Sequence, residues 1–354
     1  MAIICRVHWV SRAFLSLVLF VGLGTSSGAA VPARSVPAGF EPVSFTAVSE
    51  RSFWLLGTVP CSGGRCTAIV RTTDGGRSFV TIHAPALPTS GTTPELRFAD
   101  RLDGFAFVPW RGLFYATHDG GATWRRLALG RLVAFATGSG NVYVATSRRI
   151  EYSPVSTNAW HARPLPFTSD GSPLDLAAHG ANLWLLGTQR ATGSFHDDLA
   201  RSNDAGRTFR TGAGPCVPGL GGGLAPTSTN VVWAVCPTGM LGGAWRSTNG
   251  GISFAPLPTP QLVNAAQIAP ASATTAVLDR GVGVRLLRTT DGGRKWSPPK
   301  TPGRATSIVW VGFTDARVGA ALVQTGYSES AKTEVTALWR TTDGGATWST
   351  VRVG

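Results

Sequence analysis

RTTDGGRSF (71–79) returns along the chain as ATHDGGATW (116–124), RSNDAGRTF (201–209), RSTNGGISF (246–254), RTTDGGRKW (288–296) and RTTDGGATW (340–348). The shared core is a hydroxyl residue, any residue, Asp or Asn, a small residue, Gly, any residue, usually Ser or Thr, and an aromatic ring. Asp74, Asp119, Asp204, Asn249, Asp291 and Asp343 hold the acid position, at separations of 45, 85, 45, 42 and 52 residues. The 85-residue gap is two periods, and SPVSTNAW (153–160) fills it in worn form. That copy keeps Ser153 and Trp160 but has Val155 for the acid and Thr157 for the glycine. Seven units at this period mark a repeat architecture, to be settled before any residue is given a role.

Each unit reads as four short strands, rich in β-branched and aromatic residues and punctuated by Gly, Pro, Asn, Asp and Ser. NVVWAVC (230–236) is the clearest. One such sheet cannot bury both faces, whereas seven packed around an axis can. The expected fold is therefore an all-β, seven-bladed β-propeller of four-stranded antiparallel blades. Blades are expected near 41–84, 94–128, 131–166, 172–213, 219–258, 262–299 and 304–354. The sixth should contain strands at 264–269, 274–278, 284–289 and 296–298. The repeated phrase falls between third and fourth strands, where the carboxylate accepts backbone N–H groups and Gly75 and Gly76 tolerate positive φ. Ala205, in the Gly75 position, is expected to stay right-handed. Val155 is expected in the equivalent turn of blade three.

Residues 1–30 have the layout of a secretory signal peptide: Arg6 and Arg12, an apolar run at 14–23, then small residues. Residues 31–40 read as a linker. The apolar run is short for a membrane span, so no stable membrane insertion is expected after signal removal. Cys61, Cys66, Cys216 and Cys236 form an even set that favours disulfides Cys61–Cys66 and Cys216–Cys236 over a metal cluster, since no histidine accompanies them. The formal charge is +13, or +11 without Arg6 and Arg12, and it is almost wholly arginine. A basic exported protein can meet anionic envelope polymers through its overall field. With no basic tract interleaved with aromatics, nucleic acid is not an expected partner.

The phrase S/T-x-D-x-G-x-T-W resembles the Asp-box, or BNR repeat, of sialidases, xyloglucan-type glycoside hydrolases, sortilin-type receptors and the photosystem II assembly factor family. The stretches 97–124 and 311–348 look most like the last of these and its bacterial relatives. A Phe-x-Asp-x-x-x-Gly opening precedes each box there, as at Phe98, Asp100 and Gly104 and at Phe313, Asp315 and Gly319. The resemblance implies a propeller whose boxes lie on a rim away from the working face.

Function is then expected on the opposite face, in the connections at 57–66, 109–112, 187–198, 236–243, 279–283 and 324–334, where a rigid scaffold carries variable length. The binding set proposed from the sequence is Trp110, Arg111, Arg190, Phe195, His196, Arg280 and Tyr327, since aromatic rings with arginine suit a protein or envelope-glycan surface. Those side chains can equally cap sheet ends. The alternative is a sialidase-like glycoside hydrolase, exo-acting on terminal glycosides. It would draw on Tyr327, Asp197, Asp198 and Glu329 with Arg111, Arg190 and Arg280, and Asp279 and Glu334 are further loop acids. Hydrolysis needs an axial pocket with two carboxylates, or Tyr327 beside an acid and converging arginines. The Arg-Ile-Pro opening of sialidases is absent. With no HExxH, P-loop or G-x-S-x-G pattern, no metal and no cofactor are expected. The sequence-level reading is a non-catalytic binding or assembly module, secreted or in the cell envelope, acting as a monomer.

Overall fold

Seven antiparallel sheets follow one another along the chain, most of them of four consecutive strands joined by short turns. The computed structural model describes residues 35–167, 172–191, 194–217, 220–263, 267–281, 286–328 and 333–353; within these, side chains at 172–173, 189–191, 194–197, 327–328 and 333–334 are not described. Blade 1 contains β1 (Glu41–Ala47), β2 (Phe53–Cys61), β3 (Gly64–Thr72) and β4 (Val80–Ile82). Blade 2 contains β5 (Glu95–Phe98), β6 (Gly104–Val108), β7 (Leu113–Thr117) and β8 (Arg125–Leu127). Blade 3 contains β9 (Leu132–Gly138), β10 (Asn141–Thr146), β11 (Arg149–Pro154) and β12 (His161–Pro164). Blade 4 contains β13 (Ser172–His179), β14 (Asn182–Ala191), β15 (Ser194–Ser202) and β16 (Arg210–Ala213). Blade 5 contains β17 (Gly223–Pro226), β18 (Val232–Pro237), β19 (Leu241–Ser247) and β20 (Ala255–Pro256), with β21 (Leu262–Val263) also paired to β19. Blade 6 is β22 (Gln267–Pro270), β23 (Ala276–Asp279) and β24 (Leu286–Thr289). Blade 7 is β25 (Ser307–Phe313), β26 (Gly319–Ser328), β27 (Thr333–Thr341) and β28 (Ser349–Val351). The molecule is a seven-bladed β-propeller.

Blade 6 departs from the four-strand expectation. Its fourth strand shrinks to one bridge, in which Arg288 and Ser297 exchange backbone hydrogen bonds of 2.7 and 2.9 Å. Pro298 and Pro299 follow at once and have no N–H to continue a ladder. The described part of its first strand is Gln267–Pro270, residues 264–266 of the expected strand lying outside the described residues, and Leu262–Val263 before them pairs with blade 5.

The core lies in the seams between blades. Phe105, Phe107 and Phe114 of blade 2 meet Val142 and Val144 of blade 3, and Trp184 and Leu199 of blade 4 meet Val232 and Ala234 of blade 5. The ring closes the same way, with Phe45, Leu55 and Val70 of blade 1 against Leu322 and Leu338 of blade 7. No strand is shared between the first and last sheets.

The repeated turn uses its first hydroxyl and its acid or amide in the same way in blades 1, 2, 4, 5, 6 and 7, and Lys295 in blade 6 replaces the second hydroxyl. In blade 1 the Thr72 hydroxyl donates to Asp74 Oδ1 at 2.7 Å and accepts the Gly76 N–H at 3.0 Å. Asp74 also accepts the Ser78 N–H at 3.0 Å and its hydroxyl at 2.6 Å. Asn249 keeps the pattern with its polarity turned round, since its Nδ2 donates to Ser253 Oγ at 2.9 Å. The second glycine is demanded twice over. Gly121 has φ 91°, and a Cβ there would lie 2.6 Å from Ile82 of the preceding blade. The first glycine has φ between 68° and 80°, and a Cβ on Gly120, Gly250 or Gly344 would also stand 3.0–3.1 Å from a backbone carbonyl; Ala205 nevertheless adopts φ 59°, so the right-handed expectation is corrected. Val155 lies in the turn between β11 and β12, and its N–H donates to Gly140 O at 2.9 Å. Equivalent bonds tie the turn to the first hairpin in other blades, as from Gly75 N–H to Arg51 O at 3.0 Å.

Candidate functional site

Up-and-down connectivity places the repeated turns and the first hairpins at one end of the ring. The hairpins between second and third strands, and the connections between blades, lie at the other. Trp110 and Arg111 sit at this second end, in the turn between β6 and β7. Trp110 is 51% exposed and has φ 62°, a left-handed conformation that costs a bulky residue energy, and its N–H donates to Leu132 O of blade 3 at 2.7 Å. Arg280 follows β23 at the same end, and its Nε donates to Gln261 O at 3.2 Å. Arg190, Phe195 and His196 were expected on a loop, but the backbone there is a ladder in which Arg190 faces Phe195 and Gln189 faces His196. Likewise β26 and β27 continue to Tyr327 opposite Glu334. The presumed long loops of blades 1, 4 and 7 are thus largely strand extensions.

The side chains of Arg190, Phe195, His196, Asp197, Tyr327 and Glu334, and Glu329 entirely, lie outside the described residues. Asp198 is half-buried in β15, opposite Gly187. Asp279 is not a loop acid: it ends β23, is buried and accepts the Gly281 N–H at 3.0 Å. Among the described side chains, no hydrogen bond, ion pair or ring contact joins Trp110, Arg111, Asp198 and Arg280. The seven binding candidates come from blades 2, 4, 6 and 7, at one end of the ring.

Both disulfides form at this end. Cys61–Cys66 closes the tip of the β2–β3 hairpin. Cys216–Cys236 ties the connection after blade 4 to β18, with both cysteines buried among Leu186, Val232 and Ala234. The large apolar side chains left exposed also gather here: Trp110, Val217, Leu220, Met240 at 88%, Leu241 and Val335, against Leu102 and Ile252 at the turn end.

The axis carries a second set, which sequence reasoning missed. Innermost strands of neighbouring blades diverge, so side chains satisfy backbone groups that no ladder reaches. Ser44 Oγ and Thr46 Oγ1 accept the N–H groups of Leu96 and Phe98, at 3.1 and 2.9 Å. Asp175 Oδ2 accepts the Leu224 N–H at 2.7 Å, and Gln267 Nε2 donates to Ile308 O at 3.2 Å. A cavity of about 570 Å³ opens here, lined by Asp175, Leu224, Gln267, Ile268 and Trp310. Burial pushes the Asp175 carboxyl up to about 6 despite its bonds from the Leu224 and Leu176 N–H groups, and the charge of Glu95 adds to the rise. Glu95 is itself paired with Arg97 at 2.7 Å. Asp175 is the one acid among the cavity's described lining residues, so the paired carboxylates of a hydrolase are not assembled there. The signal was a lone acid in an otherwise apolar strand, PLDLAA (173–178). A further hollow of about 600 Å³, lined by Pro298, Pro299, Arg304, Ile308 and Trp339, lies where blade 6 lacks its outer strand. Among the described residues no three His, Cys, Asp or Glu side chains cluster to hold a metal, and no helix is long and apolar enough to cross a membrane.

No protein-family model matches the sequence, and no curated protein matches it. Solved structures do resemble the fold. One described as YCF48 bound to D1 peptide superposes with a TM-score of 0.55 at 17% identity, over 87% of this chain and 95% of the other. YCF48 from Cyanidioschyzon merolae gives 0.53 at 17%, over 76% and 88%. A puromycin-hydrolyzing peptidase of Mycobacterium tuberculosis gives 0.55 at 12%, over 91% of this chain but only 56% of the peptidase. At such identities the likeness is one of fold: this chain is a β-propeller of the general build found in YCF48.

Proposed function

We propose that this chain is an exported, non-catalytic propeller that holds a partner protein or envelope glycan on the end opposite its repeated turns. The observation that carries this reading is that six of the eight large apolar side chains exposed among the described residues lie at that end, Trp110 and Met240 foremost, and Arg111 and Arg280 lie at it too. Scattered apolar exposure is ordinary, whereas a collection on one face marks an interaction surface. The strained backbone at Trp110 supports it, since unfavourable dihedrals persist where they serve a purpose. The peptide in the name of the YCF48 complex makes an extended polypeptide the first ligand to try.

In the same reading the repeated turns are Asp-boxes of the BNR kind, residues 1–30 are a signal peptide, and residues 41–354 form the binding domain of a monomer. The two disulfides fit an oxidising compartment. The test is a screen of a random peptide library and an envelope-polysaccharide array, with wild type beside a Trp110→Ala, Met240→Ser double variant. A ligand retained by wild type and lost by the variant supports the reading; ligands indifferent to the variant sink it. Turnover of a fluorogenic sialoside in the same samples would favour the hydrolase alternative.

A further inference from the structure

In blades 5, 6 and 7 the arginine at the first position of the repeated phrase donates across the seam to a backbone carbonyl of the next blade, and Arg71 of blade 1 reaches towards the matching turn. Arg288 Nε donates to Gly344 O at 2.7 Å. Arg246 Nη2 donates to Ala273 O at 2.7 Å, and Arg340 Nη2 to Glu50 O at 2.8 Å. Arg246, Arg340 and Arg71 lie within 3.1 to 3.6 Å of where a Cβ on Gly292, Gly75 and Gly120 would stand.

Arg201 of blade 4 is the exception. The carbonyl of Gly250, which corresponds to Gly344, is taken instead by Trp184 Nε1 at 2.9 Å. The equivalent indoles of Trp54 and Trp233 have no hydrogen-bond partner. Arg201 Nε is buried without a hydrogen-bond partner, as are those of Arg71 and Arg246, but unlike Arg246 it has no bond across the seam among the described residues. It also stands directly opposite Arg210 in the β15–β16 ladder. The corresponding pairs elsewhere are Arg71 with Val80, Arg246 with Ala255, Arg288 with Ser297 and Arg340 with Ser349. Like charges directly opposite on a sheet are destabilising. No ion pair among the described residues relieves this one. The nearest acid, Asp204, spends its oxygens on Ser202 and Thr208.

The seam beside these arginines is open. A cavity of about 300 Å³ is lined by Arg201 and Arg210 together with the amides of Asn182, Asn203, Asn230 and Asn249. Asn249 is the one copy of the phrase in which the acid is an amide, so the side of the seam that carries a carboxylate in the other blades is neutral here. Two unpaired guanidinium groups, the amides of Asn203 and Asn230 and no acid in the lining make a donor-rich pocket, the amides of Asn182 and Asn249 being already committed to Thr229 and Ser253. Arginine forks fit planar oxyanions, and asparagine amides fit hydroxyl groups.

We propose that the blade 4–5 seam, at the turn end of the ring, binds an oxyanion carried on a polyol, such as an acidic sugar unit of an anionic polymer. This is separate from the apolar surface at the opposite end. Arg201 and Arg210 hold the anion, and Asn203 and its neighbours read the hydroxyls.

Calorimetric titration of the protein with glucuronate, glucose and inorganic sulfate at low salt tests the assignment. One glucuronate per chain is expected, weakened at least tenfold by Arg201→Gln and by Arg210→Gln, with glucose not binding measurably. Asn203→Ala should weaken glucuronate severalfold while leaving sulfate unchanged. Arg210 is exposed, so Arg210→Gln carries the test even if Arg201→Gln fails to fold, and without ligand it should melt no lower than wild type. Absence of glucuronate binding, or binding that both arginine variants leave intact, overturns the proposal. Sulfate binding as tightly as glucuronate, with Asn203→Ala inert toward both, overturns it as well.

Discussion

Ala205 holds a φ of 59° where Gly75, Gly120, Gly250, Gly292 and Gly344 stand in the other blades. A Cβ in the left-handed region costs about 1 kcal/mol, so Ala205→Gly should stabilise the protein by roughly that amount in urea unfolding. The acids of the molecule divide by the sign of their shifts. In the turns the Ser78 hydroxyl, then its N–H and the Thr72 hydroxyl, hold Asp74 well below the usual carboxylate range. Slight burial raises Asp119 and Asp343, but bonds from Thr123 and Thr347 outweigh it and bring both to about 2. These groups contribute stability that is present above about pH 4 and lost as pH falls toward 2. Asp175 acts oppositely, because its folded value of about 6 exceeds the unfolded one. Its favourable contribution is complete below about pH 4 and lost as pH rises through 6, leaving the folded state weaker at neutral pH by on the order of 2 kcal/mol. Asp175→Asn should therefore raise the melting temperature at pH 7.5 while leaving it nearly unchanged at pH 4; equal effects at both would contradict the burial account.

At the scale of elements, strand ends are set by residues that can or cannot continue a ladder. Pro298 and Pro299 stop the outer strand of blade 6, and Pro256 and Pro258 confine that of blade 5 to Ala255–Pro256. The glycines at the start of second strands have a packing reason: a Cβ on Gly104 would lie 2.6 Å from the Phe98 ring, and one on Gly319 would lie 2.7 Å from Phe313. The Phe-x-Asp-x-x-x-Gly opening is thus a ring laid over a bare backbone, with Asp100 closing the turn onto the N–H groups of Leu102 and Asp103 at 2.8 Å. The disulfides differ in leverage because they close loops of different length, with separations of 5 and 20 residues. Chain entropy assigns about 2 kcal/mol to the shorter and about 3 kcal/mol to the longer. Cys216→Ala with Cys236→Ala should cost the more in thermal unfolding, since it also empties buried volume between blades 4 and 5. If loss of Cys61–Cys66 proved costlier, the hairpin tip would be bearing a structural role that its exposure does not suggest.

For the whole molecule the decisive feature is closure without a shared strand. Blade 7 is held to blade 1 by Phe45 stacked on Trp310 at 5.0 Å, by the apolar seam around Leu322, and by Arg340 reaching Glu50 O. Arg340→Gln should cost about 1–2 kcal/mol and lower the melting temperature as one cooperative transition. Arg201→Gln, at the seam where the staple is already absent, should cost less. Part of the chain's arginine serves the ring itself: Arg246, Arg288 and Arg340 clamp seams between blades. Blade 3 has no arginine at the phrase position and borrows Arg163, which lies over the Tyr152 ring and donates to Gly206 O at 2.8 Å.

The blade count and strand order, the place of the repeated turn and the pairing of the cysteines were all decided by local chemistry: a period, a hydroxyl–acid–glycine phrase, and an even cysteine set. Such features act within a few residues or recur, so they survive in a linear reading. The worn copy at Ser153 was legible because its hydroxyl and ring still mark the turn. What lay beyond reach depends on how blades face one another. That Trp184 takes the carbonyl an arginine takes elsewhere, that Arg201 then meets Arg210 over an open seam, and that Asp175 looks into the axis are consequences of inter-blade geometry. Residues far apart in sequence compete there for a single acceptor, and only the closed ring brings them within reach of it.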